Sequence, residues 1–389
     1  MTELDAIVVG TGPAGSATAA HLARAGAAVA MVERARHPRP KACAEYASPR
    51  IVEELLRLGL PPDRWTGNAV ALDGMELHVG GWVARIRYED RRRARTAWGV
   101  DRRSFDALLA SHAATSGAVL REGVQAIGLV EDGRRVRGVR IRAIDGSTAT
   151  LHASFVIGAD GARSTVARLV GVERPVAYPR RVGLVAHYSA AKGLRDHGEM
   201  HVGDGYYVGL APTPGDELNV GMALPLDGRG SADARFAAAL DGLPEVVARL
   251  SGSRRIGPIR GAAPIGHRVA NVAGPGWLLV GDAAGFVDPF TGEGIHRALR
   301  SARAAATAII GAGDVGAAYR AERRRAFAAK SALTWMIQGF LAAPPLLEHA
   351  VARLSSRPAA ALRLGSALGD CRPATDALTP RALLEVIGP

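Results

Sequence analysis

Residues 4–34 read LDAIVVGTGPAGSATAAHLARAGAAVAMVER. The run AIVV at 6–9 has the composition of a buried parallel strand. Gly10, Gly12 and Gly15 then spell G-x-G-x-x-G, with Pro13 and Ala14 between them, and an alanine-rich helix follows to about Arg24. Gly26 suits the end of that helix. A second apolar run, AAVAMVE, finishes on Glu33, with Arg34 directly after it. The pattern is a βαβ unit, and each of its residues has a task. Gly10 allows the tight turn, Gly12 lets a pyrophosphate approach the backbone, and Gly15 lets helix and strand pack closely. The helix N-terminus offers free N–H groups and partial positive charge to phosphates. Glu33 is placed to accept hydrogen bonds from ribose hydroxyls and to repel a 2′-phosphate. The expected nucleotide is therefore FAD or NAD rather than NADP.

The 389 residues suffice for two domains sharing a large interface. The net charge of +12 comes almost wholly from arginine. Its densest cluster, Arg91, Arg92, Arg93 and Arg95, sits beside Glu89 and Asp90 in what reads as a loop, with no interleaved aromatics. Nucleic acid is therefore not an expected partner. The two cysteines, Cys43 and Cys371, form neither a disulfide framework nor a metal-ligand spacing, and no metal is expected. Without a signal-peptide pattern or an apolar run of spanning length, the chain reads as cytoplasmic.

Two further segments separate the candidate nucleotides. FVIGADGARSTVARLVG (155–171) is a strand running into Asp160-Gly161, with a helix from about Ser164. WLLVGDAAGFVDPFTGEGIHRALRSARAA, starting at residue 277, is a strand ending at Gly281-Asp282, then a loop through Pro289, Gly292 and Gly294 into a long helix that opens on Ile295. FAD is long, and the first motif reaches only its ADP half. A second acid at a strand tip, Asp282, can bond the ribityl chain. The helix after Gly294 can face the flavin N1–C2=O edge, where reduced flavin carries negative charge.

Together these segments resemble the FAD-dependent oxidoreductase superfamily of para-hydroxybenzoate-hydroxylase-type monooxygenases and geranylgeranyl-reductase-type enzymes, over roughly the first 310 residues. The resemblance implies that Gly281-Asp282 contacts the ribityl chain. It also implies that Asp160-Gly161 lies by the pyrophosphate and supports use of NADH or NADPH as a transient electron donor. GVDRRSFDALLASHAATSGA (99–118) is similar to the family's V-D-R-x-x-F-D-x-x-L helix and puts Arg102 near FAD. RPKACAEYASPRIVEELLRLGL (39–60) resembles the geranylgeranyl-reductase segment but carries Ala44-Glu45-Tyr46 where small glycines are usual. Cys43 and Glu45 become candidate proton donors or substrate-orienting groups, against the plain alternative of a buried thiol and a salt-bridged acid.

The fold class expected is α/β: a Rossmann-like FAD-binding domain (1–68, 99–175 and 262–314) interleaved with an antiparallel β-sheet substrate domain (69–98 and 176–261), plus a C-terminal helical region (315–389). Residues 124–157 read as three strands with turns at Asp132-Gly133 and Asp145-Gly146. The apolar stretch ALTWMIQGFLAAPPLLEHAVARL reads as a cover over the FAD domain, with a lipophilic tunnel or peripheral membrane contact as the alternative. The expected activity is an FAD-dependent oxidoreductase acting on a hydrophobic small molecule. Hydroxylation of an aromatic or polyketide-like compound stands slightly ahead of C=C reduction of an isoprenoid or other lipophilic alkene. Halogenation comes third, for want of a W-x-W-x-I-P segment, and a non-catalytic FAD-binding scaffold is the remaining alternative.

Overall fold

In the computed structural model, residues 4–189 and 196–388 are described. Strand Leu4–Val9 pairs in parallel with Val29–Glu33 on one side and with Thr148–Gly158 on the other. Val119–Glu122 and Trp277–Leu279 extend this layer outward, also in parallel. The inner strand residues Ala6, Ile7 and Val8 are fully buried, as the unbroken apolar run requires. Helix Pro13–Arg24 starts on a proline whose missing N–H costs nothing at that position. Its small alanine face lets it lie against helices Arg102–Thr115 and Gly294–Ile310, and this contact forms the largest core cluster.

Strand Thr148–Gly158 serves two partners in turn. Its first half, Thr148 to His152, pairs antiparallel with Arg135–Ala143. Its second half, Ala153 to Gly158, enters the parallel layer. The three-strand meander Val124–Asp132, Arg135–Ala143, Thr148–Gly158 thus leads the chain back to the parallel layer, with left-handed glycines at turn positions Gly133 and Gly146.

The second layer is a sheet in the order Arg254–Ala262, Arg181–Ser189, Glu217–Pro225, Tyr207–Thr213, Gly198–Val202, Gly74–Val79, Trp82–Asp90, Arg93–Arg95. It is antiparallel except where Gly198–Val202 meets Gly74–Val79 in parallel. That exception arises because two separate chain segments enter the sheet from the same side. Ala69–Leu72 and Ala97–Val100 stand apart from it, forming a small sheet with Tyr46–Ala47. The arginine-rich stretch is a hairpin rather than a loop: Arg91 and Arg92 both have positive φ (48° and 64°), the conformation of a tight two-residue turn. Arg95 is then held by Glu53 and Asp90 at 2.7 and 3.1 Å.

The C-terminal helices cover more than the FAD domain. Helix Val315–Leu341 packs there through Tyr319, whose hydroxyl donates to the Leu279 carbonyl at 2.6 Å. Helices Pro344–Ser356 and Pro358–Leu368 continue onto the substrate sheet, where Leu347, Val351 and Ala361 meet Ala84, Ile86 and Tyr88. Their apolar faces match the alternating apolar positions of strand Trp82–Asp90. No described helix is long and apolar enough to cross a membrane.

Candidate active site

A cavity of about 830 Å³ runs between the two layers. At one end it is lined by Gly10, Gly12, Pro13, Ala14, Glu33 and Arg34, and along its length by Asp160, Gly161, Gly281 and Asp282. Pro289, Gly292, Gly294 and Ile295 also line it, as do Cys43, Glu45 and Arg102. Every site residue expected from the sequence borders this one space except Gly15, which lies just behind it.

Gly15 is needed for packing: a Cβ there would stand 1.8 Å from the Gly10 carbonyl oxygen. Gly10 has φ +94°, and a Cβ on it would meet the Ala159 carbonyl at 2.7 Å. Gly12 is different. Its Cβ would have only the Arg39 guanidinium nearby, at 3.8 Å, and at Gly161 and Gly294 nothing lies within 4 Å. These three glycines leave backbone open to the cavity, a cradle that a side chain would fill and a dinucleotide fits.

The acids have separate duties. The Glu33 carboxylate accepts from the Thr11 amide (3.0 Å), the Thr11 hydroxyl (2.9 Å) and the Ala35 amide (3.1 Å), with Arg39 at 3.4 Å. Burial pushes its pKa up, but Arg39 and these hydrogen bonds prevail and hold it below the ordinary value. Glu33 therefore fixes the glycine turn as well as facing the cavity. Asp160 is spent mainly on structure. It accepts from the Ser164 hydroxyl and the Thr165 amide, each at 2.6 Å, at the start of helix Thr165–Leu169. Burial raises its pKa despite those bonds. Among the described residues, no donor reaches the carboxylate of Asp282, which lines the cavity free to bind a ligand hydroxyl.

The far end is built from side chains. Glu45 is 2% exposed and adopts φ +58°, a left-handed backbone that costs a non-glycine residue roughly 1–2 kcal/mol. The glycines usual here in the resembling segment would adopt it without strain. The surroundings over-determine Glu45: its carboxylate accepts from the Arg102 amide (3.1 Å) and from Asn219 Nδ2 (3.0 Å), and pairs with His187 Nε2 at 2.7 Å. That last bond raises the His187 pKa, working against burial. Asn219 also donates to the Cys43 carbonyl (2.9 Å), and the Cys43 sulfur accepts from Arg102 Nη1 (3.2 Å) and the Glu45 amide (3.4 Å). Arg102 is itself anchored by Asp106 at 2.8 and 3.0 Å. Asp288 fixes the loop at Pro289 by accepting from Arg181 (2.5 Å), Tyr207 (2.6 Å) and the Phe290 amide (3.0 Å). Met75, Met200, Tyr207, Met222 and Ile265 give this end an apolar lining.

His187, Asn219, Arg181, Asp288 and Arg39 were not singled out from sequence. His187 and Asn219 are direct register partners on neighbouring strands. The one signal available was a polar residue interrupting apolar alternation in RVGLVAHYSA and ELNVGMALP.

The FAD binding domain family matches residues 3–329. The chain belongs to this family. Menaquinone reductase of Mycolicibacterium smegmatis is 33% identical over 324 residues, covering 80% of this chain and 78% of the relative. Digeranylgeranylglycerophospholipid reductase of Methanosarcina mazei is 30% identical over 329 residues, covering 80% and 77%. Among solved structures, a geranylgeranyl bacteriochlorophyll reductase-like protein from Thermoplasma acidophilum superimposes with TM-score 0.80 at 24% identity, covering 92% of both chains. The myxobacterial chondrochloren halogenase does so with TM-score 0.77 at 26% identity, covering 83% of this chain and 79% of its own. The protein is an FAD-dependent oxidoreductase with the expected Rossmann-type α/β fold.

Proposed function

We propose that this flavoenzyme reduces a carbon–carbon double bond in a hydrophobic, isoprenoid-type substrate. The observation that carries the reading is Glu45, a buried carboxylate kept on a strained backbone at the cavity wall and bonded at 2.7 Å to His187. Strain of this kind persists where the surroundings enforce it, and it concentrates at functional sites. The reductases at 30–33% identity support the same direction. The substitutions in the cysteine loop, which favoured hydroxylation in the sequence, leave Cys43 at the wall and add an acid beside it.

In this reading Gly10, Gly12, Pro13, Ala14, Gly15, Glu33 and Arg34 hold the ADP half of FAD. Gly161 and Arg39 face the pyrophosphate, and Asp282 with Gly281 the ribityl chain. Pro289, Gly292, Gly294 and Ile295 border the ring, with Arg102 behind Cys43. FAD held by these residues and reduced by NADH or NADPH would supply a hydride. The chain supplies the matching proton. The proton passes from His187 through Glu45 to the neighbouring alkene carbon, and His187, whose side chain is 26% exposed, is reprotonated from solvent. Cys43 shares the Arg102 and Glu45 hydrogen bonds and orients the substrate against them. The apolar lining of Met75, Met200, Met222 and Ile265 receives the hydrocarbon. The free thiols Cys43 and Cys371 suit a cytoplasmic setting.

The test is product analysis with a panel of polyprenyl quinones, polyprenyl lipids and lipophilic phenols. Turnover under nitrogen, with two hydrogens gained by the alkene, is the expected result. Oxygen-18 in the product, with no turnover under nitrogen, would replace this reading with hydroxylation.

A further inference from the structure

On the outer face of the substrate sheet, metal-ligating side chains gather that the flavin chemistry does not use. The parallel pairing of Gly74–Val79 with Gly198–Val202 sets Glu76 opposite Glu199 and His78 opposite His201. Residues two apart on a strand share a face. The sequences E-L-H at 76–78 and H-G-E-M-H at 197–201 therefore present Glu76, His78, His197, Glu199 and His201 side by side, on the face opposite Met75 and Met200; Glu199, like the two methionines, borders the cavity. Ligand atoms of His78, Glu199 and His201 lie within 4.8 Å of one another, as do those of Glu76, His197 and Glu199. The Glu199 and His201 side chains are 0% and 1% exposed.

The outer contacts argue for a cation. Asp196 Oδ1 lies 2.6 Å from His197 Nδ1, and Glu245 Oε1 lies 3.3 Å from His201 Nδ1. With Asp196 on its Nδ1, His197 turns Nε2 inward as an acceptor, the arrangement that supports metal-bound histidines; His201 Nε2 lies 2.8 Å from Glu199 Oε2, a contact the ion would replace. The buried Nε2 atoms of His78 and His197 have no hydrogen-bond partner. They face the Glu76 carboxylate at 3.4 and 3.8 Å, acceptor against acceptor unless a proton or metal ion lies between. Arg249 Nη2 sits 2.7 Å from Glu199 Oε1, and Arg85 Nε sits 2.8 Å from Glu76 Oε1. These side chains are 37% and 69% exposed. They neutralise the carboxylates from the rim and leave the two imidazole nitrogens unsatisfied.

We propose that this cluster binds one divalent transition-metal ion of the imidazole-preferring kind, zinc first. His78, Glu199 and His201 are the core ligands, and Glu76 or His197 completes a four-coordinate set. It departs from the metal-free expectation, which rested on the two cysteines. The ion would clamp the junction between the hairpin that starts at Gly74 and the strands that follow Gly198, immediately behind the cavity wall.

The test uses tag-free, flavin-loaded protein, dialysed against chelator and titrated with zinc or magnesium. Bound metal is measured by mass spectrometry, and stability by thermal melting. One zinc per chain and a melting temperature raised by zinc but not by magnesium are expected. His78→Ala and His197→Ala, both at half-buried positions, report on the site without emptying the core. His78→Ala should weaken zinc binding at least about tenfold with flavin absorbance unchanged, and Arg249→Ala should not weaken it. Absence of saturable zinc uptake by folded wild-type protein would overturn the proposal, as would wild-type zinc affinity in both histidine variants. The cluster would then be a proton-sharing network closed by Arg249.

Discussion

The two ends of the cavity are made of different material. The nucleotide end is backbone: Gly10, Gly12 and Gly161 sit in left-handed or open positions, and Glu33 braces the turn they make. The end proposed to react is side chain: Cys43, Glu45 and Arg102 line it, His187 and Asn219 bond to Glu45 from a neighbouring sheet, and hydrogen bonds of 2.7 to 3.4 Å tie these distant segments together. Backbone recognition suits a ligand common to a whole family, because it depends on chain path more than on residue identity. Side-chain recognition can change with a few substitutions while the fold stays the same. Such a split would let related chains keep one backbone cradle while the side chains at the other end differ.

Substitutions at each end probe this contrast. Gly15→Ala should have the largest effect, since its Cβ would stand 1.8 Å from a backbone oxygen. A loss of about 3 kcal/mol in urea unfolding is expected, with poor folding in cells. Gly12→Ala, with no protein atom closer than 3.8 Å, should leave apo-protein stability unchanged while flavin retention falls. Equal destabilisation by both would erase the distinction between packing and cradle glycines. Glu33→Ala removes an acceptor used by Thr11 and Ala35, and should weaken FAD binding by about 1.5–3 kcal/mol, read by flavin titration. At the other end, Asn219→Ala should lower kcat about tenfold by releasing both the Cys43 carbonyl and the Glu45 carboxylate, a loss of about 1–2 kcal/mol, with flavin affinity intact.

The smallest effect is on pH dependence. His187 titrates above the ordinary imidazole value because of its bond to Glu45. A raised histidine stabilises the fold fully below its unfolded pKa of about 6.5, and loses that contribution as pH rises through the raised folded value. Both kcat and melting temperature should decline across that window, and His187→Gln should flatten the two profiles together. A kcat profile unchanged in His187→Gln would remove His187 from proton delivery.

The sequence made the backbone end legible because glycine positions, strand runs and terminal acids follow a fixed spacing along the chain. Gly10 to Glu33, Asp160-Gly161 and Gly281-Asp282 are readable for that reason. The reacting end was half visible. Cys43, Glu45 and Arg102 stood out, whereas His187 and Asn219 acquire meaning only through strand register, which no local pattern specifies. The parallel Gly74–Val79 and Gly198–Val202 pair was hidden for the same reason, since its partners lie over 100 residues apart. The C-terminal helices looked like a cover for one domain because their apolar faces do not say which surface they meet.

The most direct measurement is a single turnover of the reduced flavoprotein with a polyprenyl alkene under nitrogen, comparing wild type with Glu45→Gln. The account predicts that wild type is reoxidised by the alkene, and that the variant, with the same flavin affinity, is slower by about 10²-fold. Equal reoxidation rates in the two proteins would contradict the proton-donating role of Glu45.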